Sequence, residues 1–147
     1  MVNEIFNWIT VALNKEFGSG YKYYIENVEQ NLKKPCFAIA ALNPMITSRS
    51  PKLYRRVVPI VIHYFTDKQD TTDAKKDCYN IAERLWDKLE YLTSYSDKTI
   101  TIRGEDISWE MVEDVLEFFI TYTFDVIRED DEQIKLEEAL FNGVPIP

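Results

Sequence analysis

The chain has 147 residues, 46% of them hydrophobic and 29% charged, with a net charge of −8. That composition is ordinary for a soluble globular protein, and the length suffices to bury roughly two-thirds of the unfolded surface, so one domain over residues 1–147 is expected. No apolar run reaches the ~18 residues of a membrane span, residues 1–17 carry Glu4 and no basic flank and do not read as a signal peptide, and an acidic chain is a poor unassisted ligand for nucleic acid.

In chain order, Val2, Ile5, Phe6, Ile9, Ala12, Leu13 and Phe17 recur at helical spacing. They predict a helix of about four turns, with Asn3 as its cap and Gly18-Ser19-Gly20 as its stop. A short strand follows over 21–25, then a polar connection over 27–34. Residues 35–42 are almost continuously apolar, which suggests a strand buried on both faces and ended by Asn43-Pro44. Residues 45–52 read as a loop, and 53–65 as a long strand with Tyr54, Arg56, Val58, Ile60, Ile62 and Tyr64 on one face. Pro59 lacks an amide donor, so it belongs at a sheet edge or a bulge.

Ala74, Cys78, Ile81, Ala82, Leu85, Leu89 and Leu92 predict a second helix over 72–92. A short strand over 97–103 then turns at Gly104-Glu105-Asp106 into another over 107–112. Glu113-Asp114 connects tightly into the longest alternating stretch, 115–128. There Leu116, Phe118, Ile120, Tyr122, Phe124 and Val126 share one face, as alternate residues of a strand do. Residues 132–141 read as a short helix. The expected fold class is α+β: a mostly antiparallel sheet with two main helices on one face, plus a short C-terminal helix. Leu116, Phe118, Ile120 and Phe124 should share one core with Ile81, Leu85 and Leu89.

Nothing in the residues forms a catalytic constellation. Four glycines, at 18, 20, 104 and 143, build no phosphate-binding loop. His63 is the only histidine, which leaves a zinc site and a serine–histidine pair without partners and suits a packed or hydrogen-bonded strand residue. Cys36 and Cys78 sit inside a strand and a helix pattern and read as reduced, buried thiols. Glu129-Asp130-Asp131-Glu132 reads as solvated surface rather than a cation site. The expectation is therefore no catalytic residue, no cofactor and no metal.

Charge is unevenly spread: residues 1–104 hold 15 Lys/Arg against 12 Asp/Glu, and residues 105–147 hold 2 against 13. Such a split, with an aromatic share of 14%, suits protein contacts, including contacts between copies of the chain. Arg49, Lys52, Arg55 and Arg56 form one basic concentration; Glu129, Asp130, Asp131 and Glu132 form an acidic one within the extension 128–147. These two unlike patches are the expected interface residues, because opposite charges on different patches favour a head-to-tail contact between copies.

Several stretches carry a resemblance. They are residues 26–37, Leu42-Asn43-Pro44, Pro59-Ile60-Val61-Ile62-His63-Tyr64-Phe65, Cys78-Tyr79-Asn80-Ile81-Ala82-Glu83-Arg84-Leu85, and Leu116-Glu117-Phe118-Phe119-Ile120. Over about residues 2–128 the chain resembles the tail terminator (tail completion) proteins of phages and phage-like contractile particles of Gram-positive bacteria, bacteriocins included. The resemblance implies a structural virion protein, made in the bacterial cytoplasm, that forms a homo-oligomeric, hexameric ring on the head-proximal end of the tail tube. Its partners would be the tube protein, the sheath protein of a contractile tail, and the neck or head–tail connector protein. A head–tail joining protein is the alternative of the same class, and a small carboxylate-dependent enzyme using His63 is the alternative of another.

Overall fold

The structure, a computed structural model, describes residues 2–26, 32–94, 100–129 and 133–134; of residues 129, 133 and 134 it describes the backbone alone. Its elements are α1 (Val2–Phe17), β1 (Lys22–Ile25), β2 (Cys36–Ala41), β3 (Met45–Ser48), β4 (Leu53–Phe65), α2 (Thr71–Leu89), β5 (Tyr91–Thr93), β6 (Thr101–Val112), β7 (Val115–Glu129) and β8 (Gln133–Ile134). The fold is α+β, as the patterning predicts.

The two longest strands organise the sheet. β4 and β7 pair antiparallel without interruption from Leu53↔Ile127 to Phe65↔Val115. The strand order is β1-β2-β4-β7-β6-β5, with β3 also on β4 and β8 on β7; only β1–β2 is parallel. The alternating apolar residues of both strands face the same way. Val58, Ile60, Ile62 and Tyr64 on β4, with Leu116, Phe118, Ile120 and Tyr122 on β7, are at most 1% exposed. They meet Ile5, Ile9 and Leu13 of α1 and Ile81, Leu85 and Leu89 of α2 in one core. β2 is buried on both faces over Cys36–Ile39, as its composition requires.

Hydroxyl groups fasten the helices to the sheet. Asp70 caps α2 by accepting from the Asp73 amide at 3.2 Å. About two turns after the cap, Asp77 accepts from Tyr64 Oη at 2.7 Å and from Thr66 Oγ1 at 2.6 Å. At the other end, buried Tyr122 donates to the Leu89 carbonyl at 2.6 Å. Two tyrosines of the central strand pair thus hold the two ends of one helix. α1 ends at Gly18, whose φ of +80° suits glycine, and Tyr23 Oη donates to the carbonyls of Leu13 and Gly18. Arg84 ties the helices together, 2.9 Å from Glu16 and 4.2 Å above the Phe17 ring.

Several sequence expectations are corrected. Asn3 lies inside α1, not before it. Residues 45–48 form β3, which the four exposed residues and the following Ser-Arg-Ser-Pro stretch conceal. α2 ends at Leu89, and Leu92 is the buried residue of β5. Gly104-Glu105-Asp106 is no turn: β6 runs through it, with a register shift between Glu105 and Ser108 and Asp106 at φ 52°. Gly104 is there for space, since a Cβ would run into the Ile120 side chain. Pro59 is in a central strand, but opposite a bulge. Between Ala41↔Ile60 and Met45↔Val57, three residues (42–44) face two (58–59). The predicted C-terminal helix loses residues 133–134 to β8; the rest of it lies outside the described residues. Glu113 (φ 50°) and Asp114 (φ 64°) do form the two-residue hairpin turn.

Candidate association surface

Two helices about 10 Å wide cover roughly 20 Å of a sheet whose strands lie ~4.8 Å apart. They take one face. The other face of β4 and β7 carries half-buried residues: Val57, Pro59, His63 and Phe65 on β4, with Glu117, Phe119, Thr121 and Thr123 on β7. Val61, also on this side, is 3% exposed. No described helix lies over this face.

Charged pairs flank its apolar middle. Arg55 and Asp125 are register partners, and Arg55 Nε donates to Asp125 Oδ1 at 3.1 Å. That bond, together with the Asp125 and Glu105 charges, raises the Arg55 pKa further. Eight pairs along, His63 Nε2 lies 3.5 Å from Glu117 Oε1. Sequence reasoning found no acid–base pair; strand register supplies this one. Its row across the sheet is Ala38, His63, Glu117, Glu110, without a hydroxyl or thiol nucleophile. As it stands the pair joins two strands rather than activating a third group.

The predicted basic patch is divided. Neighbouring strand residues point to opposite faces, so Arg55 and Arg56 part company. Arg56 faces the helix side between Ile46 and Phe124, is 8% exposed, and has no hydrogen-bond partner for Nε among the described residues. Burial lowers its pKa. Alternation places Arg56 among apolar residues, and that is where it lies. Arg49 and Lys52 remain exposed in the β3–β4 connection, where the Arg49 amide donates to the Leu53 carbonyl at 2.8 Å. On the acidic side, Glu129 is described as backbone only, and Asp130, Asp131 and Glu132 lie outside the described residues.

Edge strands offer more. β3 is exposed at all four residues, with Met45 at 56% and Ile46 at 57%, and pairs only with β4 among the described strands. Among the described strands, β6 is joined by β5 only over residues 101–103, so its stretch 108–112, ending in half-exposed Val112, is another free edge. Such edges present unpaired backbone donors and acceptors and are templates for another chain.

The pockets are less informative. A cleft of about 480 Å³ gathers Lys34, Thr66, Asp67, Lys68, Glu113 and Asp114 beside the β6–β7 turn. No cluster of three metal-ligating side chains occurs among the described residues. Both cysteines are buried and free, and burial pushes the Cys78 thiol up to about 11. No described helix is long and apolar enough to cross a membrane.

Fold and surface together define an α+β domain whose conspicuous features, among the described residues, are an uncovered sheet face and free strand edges. The phage tail terminator protein family model matches residues 4–134, and the chain belongs to that family. It is thus a structural component of a phage tail. Among solved structures, one chain 13% identical covers 86% of this chain and 97% of its own length, with a TM-score of 0.41. No curated protein matches.

Proposed function

We propose that this protein closes into a hexameric ring on the head-proximal end of the tail tube and ends tube polymerisation there. The observation that carries this reading is the family match over residues 4–134. The fold suits the role. A terminator needs a firm scaffold where it meets the tube, and the unbroken β4–β7 ladder, hydrogen-bonded to α2 through Tyr64 and Tyr122, suits that need. It must also present unlike surfaces to a neighbour, to the tube below and to whatever lies above, and the open face and the two edges differ in chemistry. In a contractile tail the ring would abut the last sheath ring, and in a phage it would meet the neck protein. Synthesis in the bacterial cytoplasm, beside the growing tail, fits this assembly.

The test is genetic and visual. Deleting the gene should give tails of uncontrolled length, and purified protein should restore one length and appear at the head-proximal tip. Normal tails that fail to join heads would move the protein to the neck and refute the proposal.

A further inference from the structure

We propose that ring closure is made edge to edge, with β3 of one copy docking against β6 of a second copy. This rests on the ring reading above and names the contact it needs. The support is a charge segregation that follows the sheet. Residues 30–66, which build β2, β3 and β4, contain six Lys/Arg and no Asp/Glu. Residues 104–127, which build most of β6 and β7, contain seven Asp/Glu and no Lys/Arg. Where these segments adjoin inside one copy, their charges meet as Arg55–Asp125 and His63–Glu117. Of the charges that remain, Arg56 is buried and Lys34 lines the cleft beside the β6–β7 turn, while five others stand toward the free edges. Arg49 and Lys52 stand at the end of β3; Glu110 stands on β6, with Glu113 and Asp114 at its turn. None of these five forms an ion pair among the described residues. Each edge thus carries the charge that its neighbour's opposite edge lacks. Met45, Ile46 and Val112 supply exposed apolar area beside those charges.

Geometry agrees. The steps β3–β4, β4–β7 and β7–β6 are all antiparallel, so β3 and β6 run in opposite directions within one copy. One sixth of a turn about the ring axis changes a strand's direction by at most ~60°, even where the strand is inclined to that axis. Consecutive copies would therefore present β6 and β3 antiparallel, by a heterologous contact that can close. The free stretches are also similar in length: residues 45–48 on one edge and 108–112 on the other. They are offset, since β3 lies level with residues 123–126 of β7 and the β6 stretch with 115–119. Eight residues at ~3.3 Å is roughly 26 Å, so the strands must be steeply inclined to the ring axis, the relation that closed sheets obey. Pairing β6 with its own copy instead would set Glu110 near Glu110, which like charges oppose.

The experiment uses the full chain and two charge-reversed variants. Arg49→Glu with Lys52→Glu makes both edges acidic; Glu110→Lys with Glu113→Lys makes both basic. Each variant alone should keep its thermal transition yet need at least tenfold more protein to assemble, read by native mass. Mixed one to one, they should reassemble as an alternating ring, since every contact again joins unlike edges. Assembly of each variant alone at wild-type concentrations, with a wild-type ring, would overturn the edge contact and leave the ring reading standing. A wild-type chain that never assembles, alone or on tubes, would overturn both. A second probe does not depend on charge. Met45→Cys with Glu110→Cys, treated with a flexible bis-maleimide, should give a covalent ladder up to the full ring. A wild-type-like ring without that ladder would also refute the contact.

Discussion

The two faces of β4 and β7 are built on the same backbone and differ in almost everything else. Phe118 and Phe119 are adjacent, yet one is fully buried under the helices and the other is half-buried on the uncovered face. On the covered side the row from Leu116 to Val126 is apolar apart from Tyr122, whose hydroxyl is bonded to Leu89. On the open side aromatic and β-branched residues alternate with Glu117, Asp125, His63 and Arg55. The covered face thus encodes the monomer, while the open face and the edges beside it are available for association.

Truncating the adjacent pair should give the largest contrast between the two faces. Phe118→Ala should cost on the order of 3–5 kcal/mol, because it opens a cavity in the core. Phe119→Ala in the isolated subunit should cost well under half of that. Equal losses in denaturant titrations would mean that the open face is covered within the monomer. Next in size is Tyr122→Phe, which leaves the Leu89 carbonyl without its donor. Denaturant titration should show a loss of about 1–3 kcal/mol, the range for an orphaned buried acceptor.

A third test uses pH. Burial raises Cys78 from 9.0 to about 11 and raises Tyr64 and Tyr122 as well. These acids stay neutral when folded and ionise more readily when unfolded. Stability should therefore be level below pH 9 and fall from there toward pH 11, as the unfolded chain loses protons that the native state keeps. Cys78→Ala should remove the thiol's share of that slope, and a pH-independent melting temperature from 8 to 11 would contradict the burial. The smallest effect belongs to the open face: His63→Ala should change subunit stability by about 0–1 kcal/mol, as partly exposed pairs do, and leave tail assembly intact. A well-folded variant that fails to assemble would give His63 a role beyond joining β4 to β7.

Much of this architecture was legible because the covered face repeats with the period of its element. The alternation of 115–128 and 53–65 and the helical stripes of α1 and α2 each name their buried side. β3 was not legible because none of its four residues is buried, so no periodicity marks it. The stretch around Gly104 misled for another reason: glycine there makes room for Ile120, while turn-like residues serve a bulge inside β6. Leu92 continued the helical spacing of Leu85 and Leu89, yet it belongs to β5, since periodicity cannot show where a helix stops. The basic concentration was visible, but grouping it by sequence proximity joined Arg55 to Arg56, which strand geometry separates. The free edge of β6 needs the sheet order, which no local pattern contains.

If the uncovered surfaces serve assembly of identical copies, the mass of the assembled particle must show it. Native mass spectrometry of the full chain, alone and with short tail tubes, should show a species of six 17.3 kDa chains. A single chain that persists at every protein concentration and in the presence of tubes would contradict it.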